Sequence, residues 1–341
     1  MESLDLRVLA DALQWRRAGH AVTLVTVVET WGSAPRPPGA LLAVRDDGVV
    51  SGSVSGGCVE DDLIAQTQAA RQGPGGAPSR AMDRPSMLAY GVSKEEAARF
   101  GLPCGGTLRL VREPLLDTSW IESLLERTAR HELVARHLTL ASGEVRLLPA
   151  VRGQAMHFDA SVLCCVFGPT WRLLLIGAGQ LSQAVAQLAL MLDFEVLVCD
   201  PRDEYAATLR LEGVTRLPGM PDDVVRALVP DAHTAIVALT HDPKLDDMAL
   251  IEALQSNAFY VGALGSRRNQ QTRKQRLAEH FDLSPDQLAR LHGPVGLALG
   301  GKTPAEIAVS IIAEMVQLKN RVTASADAVH ATPTTAACVP R

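Results

Sequence analysis

The stretch RLLLIGAGQLSQAVAQLALMLDFEVLVCD, residues 172–200, limits the fold more than any other part of the chain. A short apolar run ends at a glycine turn. An amphipathic segment follows, and a second apolar run ends at Asp200. This reads as strand, turn, helix, strand. TAIVALT, the helical KLDDMALIEAL and AFYVGALGS continue the alternation. Strands that alternate with helices predict a Rossmann-like, doubly wound parallel sheet, here over residues 169–320.

The turn Gly177-Ala178-Gly179-Gln180-Leu181-Ser182 sits where a dinucleotide fingerprint would sit. Gly177 permits a tight turn. Gly179 lets backbone approach a phosphate at the helix that Gln180 opens. Asp200 stands about 20 residues further on, where a ribose-binding acid is expected. Ser182 occupies the place of the third glycine, which weakens the fingerprint. NAD(P) binding, and with it an NAD(P)-dependent oxidoreductase, is therefore one reading. In the other reading Asp200 is a strand-end turn residue before Pro201.

In open α/β sheets, ligands gather beyond the carboxyl ends of the strands. His241, Asp242, Ser266, Arg267 and Arg268 fall in that zone. Arg267 and Arg268 stand where a helix begins, so they oppose its dipole unless an anion offsets them. The alternative is a solvated basic face. Asp246 and Asp247 read as helix-start carboxylates. GLALGGKT (296–303) matches the phosphate-loop pattern literally, but LHGPVG before it is a poor strand. Thr303, Pro304 and Glu306 suit a capping box that starts a final helix over about 303–320.

The N-terminal part, residues 1–115, reads as mixed α+β. A helix is expected over 4–19 and a β-branched strand over 21–30, with a hairpin turning at Asp47-Gly48. In GSVSGGCVED, Ser55, Gly56, Gly57, Cys58 and Glu60 surround a helix expected to start after Gly57. Cys104 precedes a second glycine pair, Gly105-Gly106. Each cysteine reads either as packing or as a thiol facing a ligand. A helix N-terminus favours a thiolate at Cys58, whereas Glu60 and Asp61 oppose it. In ETWGSAPR, Arg36 could meet a phosphate or stand as an exposed loop cation, and Trp31 reads as a partly buried packing residue in preference to a ring-stacking face. Residues 116–168 read as a connecting region, and residues 321–341 as a disordered tail.

Bulk properties exclude some classes. A net charge of −5 with 21% charged residues gives no reason to expect nucleic-acid binding. No apolar run is long enough to span a membrane, and the acidic start lacks the pattern of a signal peptide, so a cytoplasmic protein is expected. The six cysteines form no CxxC pair and no zinc spacing, which reads as free thiols.

Taken together, VVETWGSAPRPPGALLAV, GSVSGGCVE and CGG in the first part, with GAGQLSQAVA, DPR, LTHDPKLDD, YVGALGSRR and GKTPAEIA in the second, resemble the XdhC/CoxI family. These are accessory proteins of molybdoenzymes of the xanthine dehydrogenase and carbon monoxide dehydrogenase type. The resemblance covers about residues 5–115 and 170–318. It implies a chaperone rather than a turnover enzyme. Such a chaperone binds the molybdenum cofactor transiently, protects its sulfurated form and delivers it to an apo-molybdoenzyme. It also implies a cysteine desulfurase partner and self-association. Two departures are Ser182 and Ala298, the latter where family members often carry an acid. The cofactor is an anionic pterin with a phosphate and a dithiolene. Glycine turns and helix N-termini suit the phosphate, and a thiol suits molybdenum or its sulfur.

Overall fold

A computed structural model describes residues 3–31, 36–71, 83–91, 107–206 and 210–330. The chain divides into two units, Met1–Pro169 and Thr170–Arg341.

The first unit is built on a five-stranded antiparallel sheet of β1 (Val22–Thr30), β2 (Leu41–Arg45), β3 (Val50–Gly52), β4 (Ser86–Tyr90) and β5 (Leu108–Pro114). Their order is β3-β2-β1-β5-β4. Both faces are covered, which explains why β1 and β2 read as continuous apolar runs rather than alternating ones. Val22, Leu24, Leu41 and Ala43 join one core with Val8, Leu9 and Ala12 of the helix Ser3–Arg17. Val25, Val27, Leu42 and Val44 join another with Val59 and Leu63 of the helix Cys58–Arg71.

Residues 116–168, which read as a connection, contain the helix Ser119–Ala129 and a second antiparallel sheet. Its strands are β6 (Val134–Thr139), β7 (Val145–Pro149), β8 (His157–Phe158) and β9 (Val162–Phe167), in the order β7-β6-β9-β8. Trp120, Ile121, Leu124, Val134, Leu138, Leu163 and Phe167 pack into the same core as the first helix. One charged pair is sealed there: Arg136 lies 2.6 Å from Glu113 and stacks on Trp120. This stretch escapes a sequence reading because its strands are short and Arg136 interrupts the inward-facing row between Val134 and Leu138.

The second unit has the expected Rossmann-like form. Its strands are β10 (Arg172–Ile176), β11 (Glu195–Cys199), β12 (Val214–Arg216), β13 (Thr234–Ala238), β14 (Tyr260–Ala263) and β15 (Leu291–His292). All six run parallel, in the order β12-β11-β10-β13-β14-β15. The winding reverses between β10 and β13. Leu173 and Leu175 face one helical layer, and Leu174 and Ile176 face the other. The last helix runs Pro304–His330, past the end expected near residue 320, and begins on the anticipated capping box. Glu306 accepts from the N–H groups of Lys302 and Thr303 at 2.9 and 3.0 Å, and the Glu306 N–H donates to the Thr303 hydroxyl.

Candidate functional site

Strand register gathers the N-terminal motifs at one end of the five-stranded sheet. Glu29 pairs with Arg109 and Thr30 with Leu108, so β1 ends where β5 begins. Thr26 pairs with Leu41, Leu42 with Gly52, and Tyr90 with Leu108. The connections through Arg36, through Ser53–Gly57, and through the segment before Thr107 therefore all leave this end. Arg36 is half-buried. The side chain of Cys58, together with Cys104, Gly105 and Gly106, lies outside the described residues.

The loop before Cys58 is wound on one carboxylate. Glu60, 7% exposed, accepts from the backbone N–H groups of Val54, Ser55, Gly56 and Gly57 at 2.9, 2.9, 3.2 and 2.8 Å. It also accepts from the Ser53 hydroxyl at 2.8 Å and from the Ser55 hydroxyl. Burial alone would push its pKa up. The donors, led by Ser55, outweigh burial and hold it at about 2. Gly56 and Gly57, with φ of 89° and 144°, allow the chain to turn its amides inward. The structure thus changes the sequence reading of this loop: the amides expected to cradle a phosphate are taken up by the chain's own Glu60. That residue stands three positions after Gly57, as Glu306 stands three after Thr303. This spacing is the signal by which the anchor could have been read from sequence.

At the carboxyl ends of the parallel strands, Gly177 has φ 107°, and a Cβ there would meet the backbone of Leu239 and Thr240 at 3.1 Å. The turn is pressed against the end of β13, and only glycine fits. Gly179 is the extended N-cap of the helix Gln180–Met191, open on its Cβ side, and Gln180 is exposed. The Asp200 side chain is fully covered. It accepts from the Ala178 N–H at 2.9 Å and takes two hydrogen bonds from the Arg202 guanidinium, each 2.8 Å. Burial works against its charge, but Arg202 and the Ala178 N–H prevail and keep its pKa below the ordinary carboxylate value. A ribose hydroxyl would find these oxygens occupied. The arrangement accords with the strand-end reading of Asp200 and gives NAD(P) no support.

His241 is exposed, with φ 63°. Ser266 caps the helix Arg267–Phe281 by accepting from the Asn269 N–H. Arg267 and Arg268 are exposed and make no ion pair among the described residues. Gly179, Asp200, His241 and Ser266 therefore share the carboxyl end of one sheet, as their sequence positions implied. Asp246 and Asp247 do more than start a helix. Arg273 binds both at 3.0 Å, and Arg276 adds a second contact to Asp247. Asp246 also accepts from the Thr240 hydroxyl and N–H. This buried network ties the His241 loop to the helix that carries Arg267.

Residues 15–77 match the family model described as XdhC and CoxI family, and residues 173–315 match the XdhC Rossmann domain. The molybdenum cofactor insertion chaperone PaoD of Escherichia coli K12 is 26% identical over 321 residues, which cover 92% of this chain and 88% of PaoD. A protein of Bacillus subtilis 168 named as a probable xanthine dehydrogenase subunit is 26% identical over 329 residues, 88% of this chain and 93% of that protein. A crystal structure of a xanthine dehydrogenase from Bacillus halodurans shares the fold, with a TM-score of 0.74 at 23% identity over 94% of this chain and 96% of that one. The two matched segments fall one in each unit and carry the motifs described above, so the chain is similar to the XdhC/CoxI family in both units.

Proposed function

We propose that this chain binds the molybdenum cofactor, shields its sulfurated form and hands it to an apo-molybdoenzyme of the xanthine dehydrogenase type. The observation that carries the reading is the convergence of the family's N-terminal motifs on one sheet end. It occurs in a chain similar along most of its length to a protein named as an insertion chaperone. Glu60 fixes the Ser53–Gly57 loop in advance, so Ser55, Gly56, Gly57 and the helix start at Cys58 form a preorganised wall at the sheet end that the Arg36 connection also leaves. Arg36 rather than the loop amides would meet an anionic cargo. Cys104, Gly105 and Gly106 remain a proposal from the sequence motif alone, as contacts of the same cargo. In the second unit, the open helix start at Gly179 and Gln180, His241 at the same sheet end, and the exposed cations Arg267 and Arg268 next to Ser266 suit a phosphate or an acidic partner surface. A cysteine desulfurase would supply the sulfur, and the chain would self-associate.

Retention of isolated cofactor tests the reading. The purified chain should carry the cofactor through gel filtration and raise the activation of an apo-molybdoenzyme. No co-elution, together with no effect on activation, refutes it. Pull-down with a cysteine desulfurase and light scattering across a dilution series test the two partner assignments.

A further inference from the structure

The expectation that Trp31 packs partly buried is overturned: its side chain is 77% exposed. A lone exposed aromatic is ordinary on a protein surface. Here three other features coincide with it. First, the Trp31 N–H donates to the Thr107 carbonyl at 2.9 Å, so its backbone is held as the last rung of the β1–β5 ladder. Second, Glu29 and Arg109 face each other across that ladder as a 2.9 Å ion pair, both half exposed. Third, Glu29, Trp31, Thr107 and Arg109 line a shallow cavity of about 270 Å³. Strand geometry explains the grouping. Glu29 and Trp31 are two apart at the end of β1, Thr107 and Arg109 two apart at the start of β5, and cross-strand partners share a face. That face is the one bearing Val111, opposite the face covered by the helix Cys58–Arg71.

The geometry points to a binding site for a flat bicyclic heterocycle with a 2-amino-4-oxo edge, the edge found in pterin and in guanine. An indole face on a fixed backbone is a stacking platform. Glu29 can accept from the two adjacent N–H groups of such an edge, and Arg109 can donate to the neighbouring carbonyl. In the free protein each charge satisfies the other. The cavity is large enough for a ring system of two fused six-membered rings. An adenine edge lacks the paired donors and carbonyl, so it gains no contact from Glu29 or Arg109 beyond stacking. Trp31 is then a positioning residue for the pterin end of the cargo, an assignment that rests on the proposed function.

The test uses the full chain and three probes: unsubstituted pterin, guanosine monophosphate and adenosine. Fluorescence titration should show saturable pterin binding. Trp31→Ala should weaken it on the order of tenfold or more, the scale of one stacked base. Trp31→Phe should keep most of the affinity, and Glu29→Gln should weaken pterin while leaving adenosine equally poor. Melting curves confirm that these exposed-site variants fold. Guanosine monophosphate binding as tightly as pterin would assign the same edge chemistry to a nucleotide. Equal adenosine binding, unchanged pterin binding in both Trp31→Ala and Glu29→Gln, or no pterin binding at millimolar concentration overturns the inference. If Trp31→Ala retains the intact cofactor as the wild type does, the site falls and the chaperone reading stands. If the wild type binds pterin through Trp31 but does not retain the cofactor, the reverse holds.

Discussion

Replacing Glu60 by glutamine keeps the shape of the side chain and removes the charge on which the Ser53–Gly57 loop is wound. One carboxylate there answers four backbone N–H groups and two hydroxyls. An amide offers one acceptor oxygen and turns an NH2 group toward donors, so the Gly57 N–H and the Ser55 hydroxyl lose their partner. The pKa gives a second route to the magnitude. Moving from an ordinary value of 4.5 to about 2 is worth ~3 kcal/mol at about 1.36 kcal/mol per pKa step. Solvent at the loop rim trims this to ~2 kcal/mol. Because the folded pKa is depressed, the stabilisation is fully present above the ordinary pKa of 4.5 and fades as pH falls toward the folded value of about 2. Roughly three-quarters of it should survive at about pH 4. Urea unfolding in a Trp171→Phe background reports on the first unit alone, since the other tryptophans, Trp15, Trp31 and Trp120, all lie there. The expected result is a gap of ~2 kcal/mol between the wild-type and Glu60→Gln chains at about pH 7 that narrows on acidification. A gap below ~0.5 kcal/mol at neutral pH, or one that stays constant down to about pH 3, would refute the idea that this carboxylate organises the loop.

Three further outcomes follow from the second unit. Arg273→Ala leaves Asp246 and Asp247 buried beside only Arg276, and should cost ~3 kcal/mol or more in urea unfolding followed by Trp171 fluorescence in a background where Trp15, Trp31 and Trp120 are replaced by phenylalanine. Gly262→Ala would set a Cβ 2.6 Å from the Val295 side chain and 2.9 Å from the Tyr260 ring, and should lower stability by ~1–3 kcal/mol in the same assay. Tyr260→Phe removes a 2.6 Å hydrogen bond to Glu314 and should cost ~1–2 kcal/mol; because Glu314 lies below the ordinary carboxylate pKa, the loss should shrink in acid as Glu314 takes up a proton.

The second unit was legible because its signals are local. Each strand is a short run buried on both faces, each helix follows at once, and Gly177 marks the single turn where any side chain would strike the Thr240 backbone. The first unit is held by pairings far apart in the chain, such as Val25 with Arg112, and by a second sheet whose strands carry no clean alternation. Neither can be read from local pattern. The Glu113–Arg136 pair shows why: a charge in each strand looks like exposure until the partner strand is known, and the two together are buried.

Asp200, Glu60 and Glu306 share a lesson about glycine motifs. At Asp200 and Glu60 a sequence reading sees a free acid or open amides at a turn and offers them to a ligand; at Glu306 the capping-box spacing already gives the self-closing reading. In each the chain closes the turn on itself: Asp200 on the Ala178 N–H and Arg202, Glu60 on its own loop, Glu306 on Lys302 and Thr303. Glycine supplies the backbone freedom for such self-binding as readily as for phosphate binding. The discriminating question is whether a carboxylate stands within reach, three residues on in the helix or at the end of the adjacent parallel strand. Where one does, the amides are structural, and ligand contacts must be sought on neighbouring side chains that the turn holds still. At the end of β1 that search leads away from the glycines to Trp31, Glu29 and Arg109, exposed polar and aromatic groups carried where β1 still pairs with β5.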